Sequence, residues 1–257
     1  FGRTARQFAR CEPYPANGEP GALIAETGAK VLMVGTSENL DTRAHALVER
    51  ARAQGVPSIG AIDSSANSAF RFRGHSANAL RHAPDWLMVP DEWTRQTYLD
   101  VGFPAERAVI CGHPLYDEVA ARRRALDAEG QARVRARVLP DVPLGRPVVV
   151  FLGEISGGLN PAQFRRGPDY TLHGRGGADG RTEIVLEEII DSAAGLRPRP
   201  YLVLRLHPKQ KPDDLAPYLR DVDCVSSGGS ALDLVYAADL VLGMTTSLLL
   251  EAAILGR

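Results

Sequence analysis

The residues best suited to chemistry lie near the C-terminus, in the run Gly243-Met244-Thr245-Thr246-Ser247-Leu248-Leu249-Leu250-Glu251. They follow Ala238-Asp239-Leu240-Val241-Leu242, an apolar run that reads as a buried strand. A glycine lets the backbone turn, three hydroxyl residues sit at a helix start, and a carboxylate follows one turn later. Thr246 or Ser247 is placed to cap the helix, whose free N–H groups and positive dipole end favour a phosphate. Glu251 lies four residues after Ser247 and shares its helix face, where a carboxylate suits ribose or sugar hydroxyls. The set points to a nucleotide.

Two further clusters follow apolar runs. After Val148–Leu152 come Gly153, Glu154, Ser156, Gly157 and Gly158, whose glycines permit close approach of backbone to a diphosphate. Around the end of Tyr201–Leu206 stand Arg205, His207, Pro208 and Lys209, donors suited to phosphate oxygens. Alone, the His-Pro pair reads as a turn and the Thr-Thr-Ser run as a helix cap. Together at one sheet edge, they read as a ligand site, since parallel sheets bind ligands beyond their strands' carboxyl ends. Ser226-Ser227-Gly228-Gly229 reads either as a frame for a base or as a simple loop.

The first half of the chain carries acids at strand ends. Asp63 is followed by Ser64, Ser65, Asn67 and Arg71; Asp91 and Glu92 follow Leu87–Val89; Gly112-His113-Pro114 end the next strand. An acid here would deprotonate an acceptor hydroxyl as general base. Asp63, Asp91 and Glu154 are the catalytic candidates, with Asp63 preferred. Asp91 and Glu92 equally read as the favourable acids of a helix start.

The elements that must position these groups alternate. Strands are expected at 29–35, 57–63, 86–90, 108–112, 148–152, 201–206, near 224–225 and at 238–242. Helices are expected after Asp41 as cap, over 92–101, in one Arg/Ala-rich region between Tyr116 and Val138, over 182–194, near 213–219 and near 231–236. This alternation implies parallel βαβ units and two Rossmann-like halves, an α/β fold. Leu139–Pro147, with three prolines and a glycine, is the expected linker, giving domains 1–143 and 144–257. The run Ser156–Arg181 holds seven glycines and two prolines and is expected to be a loop at the active site.

Of the 257 residues, 44% are hydrophobic and 24% charged, and the formal net charge is −1. That balance argues against a general nucleic-acid binder, which needs a basic surplus. No apolar run approaches the roughly 18 residues of a membrane span, which leaves peripheral membrane contact open. The three cysteines, Cys11, Cys111 and Cys224, form no CxxC or Cys/His cluster, which suits a reducing cytoplasmic setting, with Cys111 and Cys224 as buried thiols. Asp213-Asp214, after Pro212, reads as a helix cap rather than a metal-binding pair. Neither a metal nor a cofactor is expected. The chain starts at Phe1 and stops at Gly256-Arg257 just after a helix, so truncation at both ends is expected.

The pattern Val89-Pro90-Asp91-Glu92, Leu99, Gly102-Phe103, Val109-Ile110 and Gly112-His113-Pro114 resembles the end of a GT-B N-terminal domain. Leu204–Lys209 is similar to the His-Pro motif of bacterial sialyltransferases and CDP-glycerol glycerophosphotransferases. Gly243–Glu251 resembles their serine/threonine motif. Surface-polysaccharide biosynthesis proteins and UDP-N-acetylglucosamine 2-epimerases look similar as well. The resemblance covers roughly residues 29–255 and implies two Rossmann-like domains facing a cleft. It implies that His207, Thr246 and Ser247 contact donor phosphates and that Glu251 holds the ribose. The acidic-acidic-glycine motif of the sialyltransferases is missing, so the resemblance names no base. The expected function is metal-independent transfer of a glycosyl group from a nucleotide-sugar donor to a carbohydrate or lipid-linked acceptor. A UDP-sugar 2-epimerase and a binding-only GT-B protein are the alternatives.

Overall fold

The computed structural model describes residues 18–155 and 172–257. They form two compact units, one ending at His113 and one spanning Pro114–Arg257. The first contains α1 (Pro20–Thr27), β1 (Leu32–Gly35), α2 (Arg43–Ala53), β2 (Ser58–Ala61), α3 (Ser68–Arg71), β3 (Trp86–Val89), α4 (Glu92–Asp100) and β4 (Ala108–Ile110). Its strands are all parallel, in the order β1-β2-β3-β4. Phe72, Leu87, Val89, Tyr98 and Phe103 form its core. Gly60 is required there: a Cβ would stand 2.7 Å from Pro84 Cγ and 3.2 Å from Leu87 Cδ2. Asp41 does not cap α2 as expected. Thr42 holds the cap position, and the Asp41 carboxylate meets His75 Nε2 at 2.9 Å.

The second unit contains α5 (Pro114–Glu129), α6 (Gln131–Val138), β5 (Val148–Leu152), α7 (Arg181–Gly195), β6 (Tyr201–Arg205), a 3-10 segment at Pro212–Tyr218, β7 (Cys224–Ser226), α8 (Ala231–Ala237), β8 (Leu240–Leu242) and α9 (Leu248–Ile254). These strands are also parallel, in the order β7-β6-β5-β8. The central pair is apolar up to Arg205, the last residue of β6, because both faces are covered. Val148, Val150, Leu152 and Val203 face a core with Val119, Leu126, Val134, Leu234 and Leu255. Phe151, Leu202 and Leu204 face the other way, against Leu186, Ile190, Leu215 and Tyr218. The Asp214 carboxylate accepts from Lys211 N at 2.8 Å at the start of the 3-10 segment, a capping role.

The division at His113/Pro114 falls earlier than the expected 143/144 boundary. The cause is packing. Helices α5 and α6 bury Val119, Leu126 and Val134 in the second unit's core, and Arg122 and Arg137 both bond Asp233 of α8. The expected single helical region is two helices, broken at Gly130 with φ +87°. Leu139–Pro147 is a turn inside the second unit: Arg146 donates to the carbonyls of Arg199 at 3.0 Å and Pro200 at 2.8 Å. Cys111, expected to be buried, is exposed because it lies beyond the end of β4; Cys224 is half-buried. No helix among the described residues is long and apolar enough to cross a membrane.

Candidate functional site

Register brings the chemistry together in the second unit. Leu152 pairs with Arg205, Phe151 with Leu242, and Arg205 with Ser226. The carboxyl ends of four parallel strands therefore lie side by side. Gly153–Glu154, Arg205–Lys209, Ser226–Gly229 and Gly243–Ser247 share one sheet edge.

Glu154, a candidate base, is the best-connected group there. Its carboxylate Oε1 accepts from the backbone N–H groups of Met244 at 3.1 Å, Thr245 at 2.7 Å and Thr246 at 2.9 Å. Oε2 accepts from Thr245 Oγ1 at 2.6 Å. The residue is only 7% exposed. The N–H groups expected to cradle a donor phosphate thus already hold the protein's own carboxylate. Helix α9, with seven residues, also offers less dipole than a long helix would. Around the backbone of Glu154, Thr182 Oγ1 donates to its carbonyl at 2.5 Å.

His207 follows β6 in a turn tied by Gln210. His207 N donates to Gln210 Oε1 at 2.9 Å, and Gln210 Nε2 donates to the Glu154 carbonyl at 2.9 Å. Gly153 N donates to Arg205 O at 2.8 Å, and a Cβ on Gly153 would stand 2.8 Å from Gln210 Oε1. That crowding by itself favours glycine at 153. Lys209 N donates to His207 Nδ1 at 3.1 Å, so the neutral imidazole carries its proton on Nε2. Burial holds the His207 pKa below the ordinary histidine value; the Lys209 charge adds to this and Glu154 opposes it. The Lys209 side chain is exposed.

Arg205 reaches sideways along the rim. Its Nη1 donates to Ser226 Oγ at 2.8 Å and to the Gly228 carbonyl, and Nη2 donates to Gly229 O at 3.3 Å. All three acceptors are neutral, and burial lowers the guanidinium pKa. Thr246 Oγ1 accepts from Leu248 N at 3.3 Å, so its hydroxyl proton remains available to a ligand. Ser247 occupies the cap position of α9 without a side-chain capping bond, and Glu251 lies in the helix's first turn. Ser156, Gly157 and Gly158 fall outside the described residues, as does most of the expected loop. Its later part forms a 3-10 turn at Arg175–Gly177, where Arg175 N donates to Tyr218 Oη at 2.8 Å.

The remaining candidates belong to the first unit. Asp63, Asp91 and His113 follow β2, β3 and β4, neighbouring strands of its sheet. His113 Nε2 lies 3.1 Å from the Asp63 carbonyl. The Asp63 carboxylate pairs with Arg71 at 2.7 Å. Asp91 is the N-cap of α4, its Oδ1 accepting from Thr94 N at 2.6 Å, which is the helix-start role. Gln210 and Thr182 were not singled out from sequence. Gln210 stands three residues after His207, which is the one local signal it carries; Thr182 carries none.

No protein-family model matches the chain, and no curated protein matches it. Solved structures do. UDP-GlcNAc 2-epimerase from Neisseria meningitidis bound to UDP-GlcNAc is 14% identical with a TM-score of 0.54, covering 87% of this chain and 56% of its own. The Methanocaldococcus jannaschii UDP-GlcNAc 2-epimerase in complex with UDP-GlcNAc and UDP is 16% identical, TM-score 0.56, covering 91% and 60%. S. aureus MnaA with UDP is 12% identical, TM-score 0.56, covering 95% and 63%. The chain therefore spans less than two thirds of each of these structures. At such identities the likeness is one of fold, and it agrees with the two four-stranded parallel sheets: the chain has the GT-B fold.

Proposed function

We propose that the protein is a nucleotide-sugar enzyme that transfers the glycosyl group of a bound donor to a hydroxyl of a carbohydrate or lipid-linked acceptor. One observation carries the binding half. The four strand ends form a continuous hydrogen-bonded rim, running from Ser226–Gly229 through Arg205 to the His207–Gln210 turn, then through Glu154 to Met244–Thr246. A rim fixed in this way is preorganised before any ligand arrives, so little ordering is left to oppose binding. The bound UDP-GlcNAc and UDP of the similar structures support a uridine nucleotide as ligand.

With the turn's N–H groups taken by Glu154, the donor's phosphates fall to other groups. These are the His207 Nε2–H, the Thr246 and Ser247 hydroxyls and the Lys209 ammonium. His207, neutral near pH 7, would stabilise the departing phosphate as negative charge develops on it. Glu251 would hold ribose hydroxyls, and the Ser226–Gly229 loop held by Arg205 would frame the base. Asp63 is the proposed general base, oriented by Arg71. Asp91 and Glu154 suit that role less, because Asp91 caps a helix and Glu154 is saturated by four donors.

Epimerisation at the sugar's second carbon is the second reading, favoured by the fold shared with UDP-GlcNAc 2-epimerases. Incubation of the full-length protein with UDP-GlcNAc alone separates them. Sugar interconversion without an acceptor would select epimerisation, whereas nucleotide release that depends on an added acceptor selects transfer. Calorimetry showing no binding of UDP-, CMP-, CDP- or GDP-sugars would overturn both.

A further inference from the structure

We propose that Glu154 is a positioning residue: its buried carboxylate is the internal anion that shapes the Met244–Thr246 turn and thereby sets where a ligand phosphate can sit. The inference rests on the nucleotide reading above and deepens it. Three consecutive backbone N–H groups converge on one carboxylate oxygen, and the second oxygen takes the Thr245 hydroxyl. Successive N–H groups aimed at one point form a concave anion site. Here the anion comes from the end of β5, in the same chain.

The alternative geometry would be costly. Without the carboxylate, three N–H groups and a hydroxyl would lose their acceptor in a half-buried turn, which would rearrange to find others. Glu154 is held from its own side as well, with Thr182 Oγ1 and Gln210 Nε2 both donating to its carbonyl. Gln210 in turn accepts from His207 N. One residue thus joins the β5, β6 and β8 ends and fixes the Thr246 and Ser247 hydroxyls relative to the His207 ring. The ligand's phosphate is directed to those side chains because the turn's main chain is already satisfied.

The test uses the full-length protein as wild type, Glu154→Ala and Glu154→Gln. Amide hydrogen exchange at Met244, Thr245 and Thr246 reads the turn directly, and UDP titration reads its consequence. Glu154→Ala is expected to lose protection at those three amides and to bind UDP roughly tenfold more weakly. Formate, small enough to enter the vacated space, should restore both; Glu154→Gln, which keeps an acceptor oxygen, should retain most of both. Far-ultraviolet circular dichroism checks folding, and if Glu154→Ala fails it, Glu154→Gln against wild type decides: protection held with UDP affinity supports the proposal, and UDP binding kept after the three amides lose protection overturns it. Unchanged protection in a folded Glu154→Ala overturns it too, as does lost protection with unchanged UDP affinity. Tighter UDP binding by Glu154→Ala would mean that the carboxylate competes with phosphate rather than positioning it. If wild type binds no UDP, the nucleotide reading fails, and the exchange result still decides whether Glu154 holds the turn.

Discussion

The side chain of Arg71 is 4% exposed and that of Asp63, whose carboxylate lies 2.7 Å from the guanidinium, is 70% exposed. The pair is lopsided: a buried cation reaches out to an anion at the surface. Arg71 also donates to Thr36 Oγ1 at 3.0 Å and lies 3.8 Å from Glu38 Oε2. The acid is therefore oriented by the interior while remaining open to a substrate.

Asp63→Asn should accordingly cost little stability, about 1 kcal/mol, because Thr36 and Glu38 continue to serve the buried Arg71, the asparagine keeps an acceptor oxygen, and the carboxylate that is lost is itself exposed. Denaturant titration measures that. If Asp63 is the base, the same variant should lose turnover by two orders of magnitude or more, on the order of what a positioned general base contributes, with donor affinity unchanged. Near-normal turnover would remove Asp63 from the mechanism.

His207→Ala should weaken binding of the nucleotide donor by about 1.5–3 kcal/mol, the range of a hydrogen bond to a charged partner. Calorimetry at pH 7.5 reads it, where the ring is neutral. Burial, aided by Lys209, depresses the folded-state pKa. The unfolded chain therefore takes up this proton first as pH falls below about 6.5, and His207 costs stability from there downward until the folded ring protonates too. In the alanine variant that part of the acid-side decline should vanish, which a comparison of denaturant midpoints at pH 7.5 and 5.5 would show.

Asp233 makes a second pH prediction of opposite origin. It is buried, which raises its pKa, but hydrogen bonds from Arg122, Arg137 and Ser230 outweigh the burial and leave it below the ordinary carboxylate value. A carboxyl depressed in the folded state stabilises above the unfolded value of about 3.9, and that contribution is lost as pH falls through the folded value. Asp233→Ala should destabilise the second unit by roughly 2 kcal/mol at pH 7, less than a fully buried pair would. The reason is that Arg122 and Arg137 are 40% and 45% exposed and can rehydrate. The difference from wild type should shrink below pH 4.

Gly153→Ala tests the crowding behind the rim. Its Cβ would meet Gln210 Oε1 at 2.8 Å and the Arg205 carbonyl at 3.2 Å, and the carbonyl cannot swing away. Overpacking of about 1–2 kcal/mol is expected in thermal unfolding. Displacement of Gln210 should also weaken nucleotide binding, since Gln210 joins His207 to Glu154.

How much of this was legible follows from the range of the interactions. The strand Val148–Leu152 and the helix from Glu92 were readable because their signals are local: a run of apolar residues, and Asp91 as a cap. The strand expected at 57–63 is three residues shorter, Ser58–Ala61, and the one expected at 201–206 is one shorter, since pairing stops at Ala61 and Arg205. The helix Pro20–Thr27 was missed; its cap is a glutamate, Glu19, outside the usual Ser, Thr, Asp and Asn. The site's strand ends were legible for the same local reason. Its wiring was not. Glu154 meets Met244 ninety positions along the chain, and no pattern near Glu154 distinguishes a base from an internal anion. The division at His113/Pro114 was equally out of reach, because prolines mark turns as readily as linkers and the packing of α5 and α6 is decided by α8 and α9.

That packing bears on how the protein is made. During synthesis α5 and α6 emerge before every strand they cover. Arg122 and Arg137 then wait 111 and 96 positions for Asp233, and Arg135 waits 102 for the Ala237 carbonyl. Until those arrive, Val119, Leu126 and Val134 have no completed core to enter. Contacts so distant in sequence close slowly and leave apolar surface open in the meantime. Burial of α5 and α6 therefore waits until α8 has been translated.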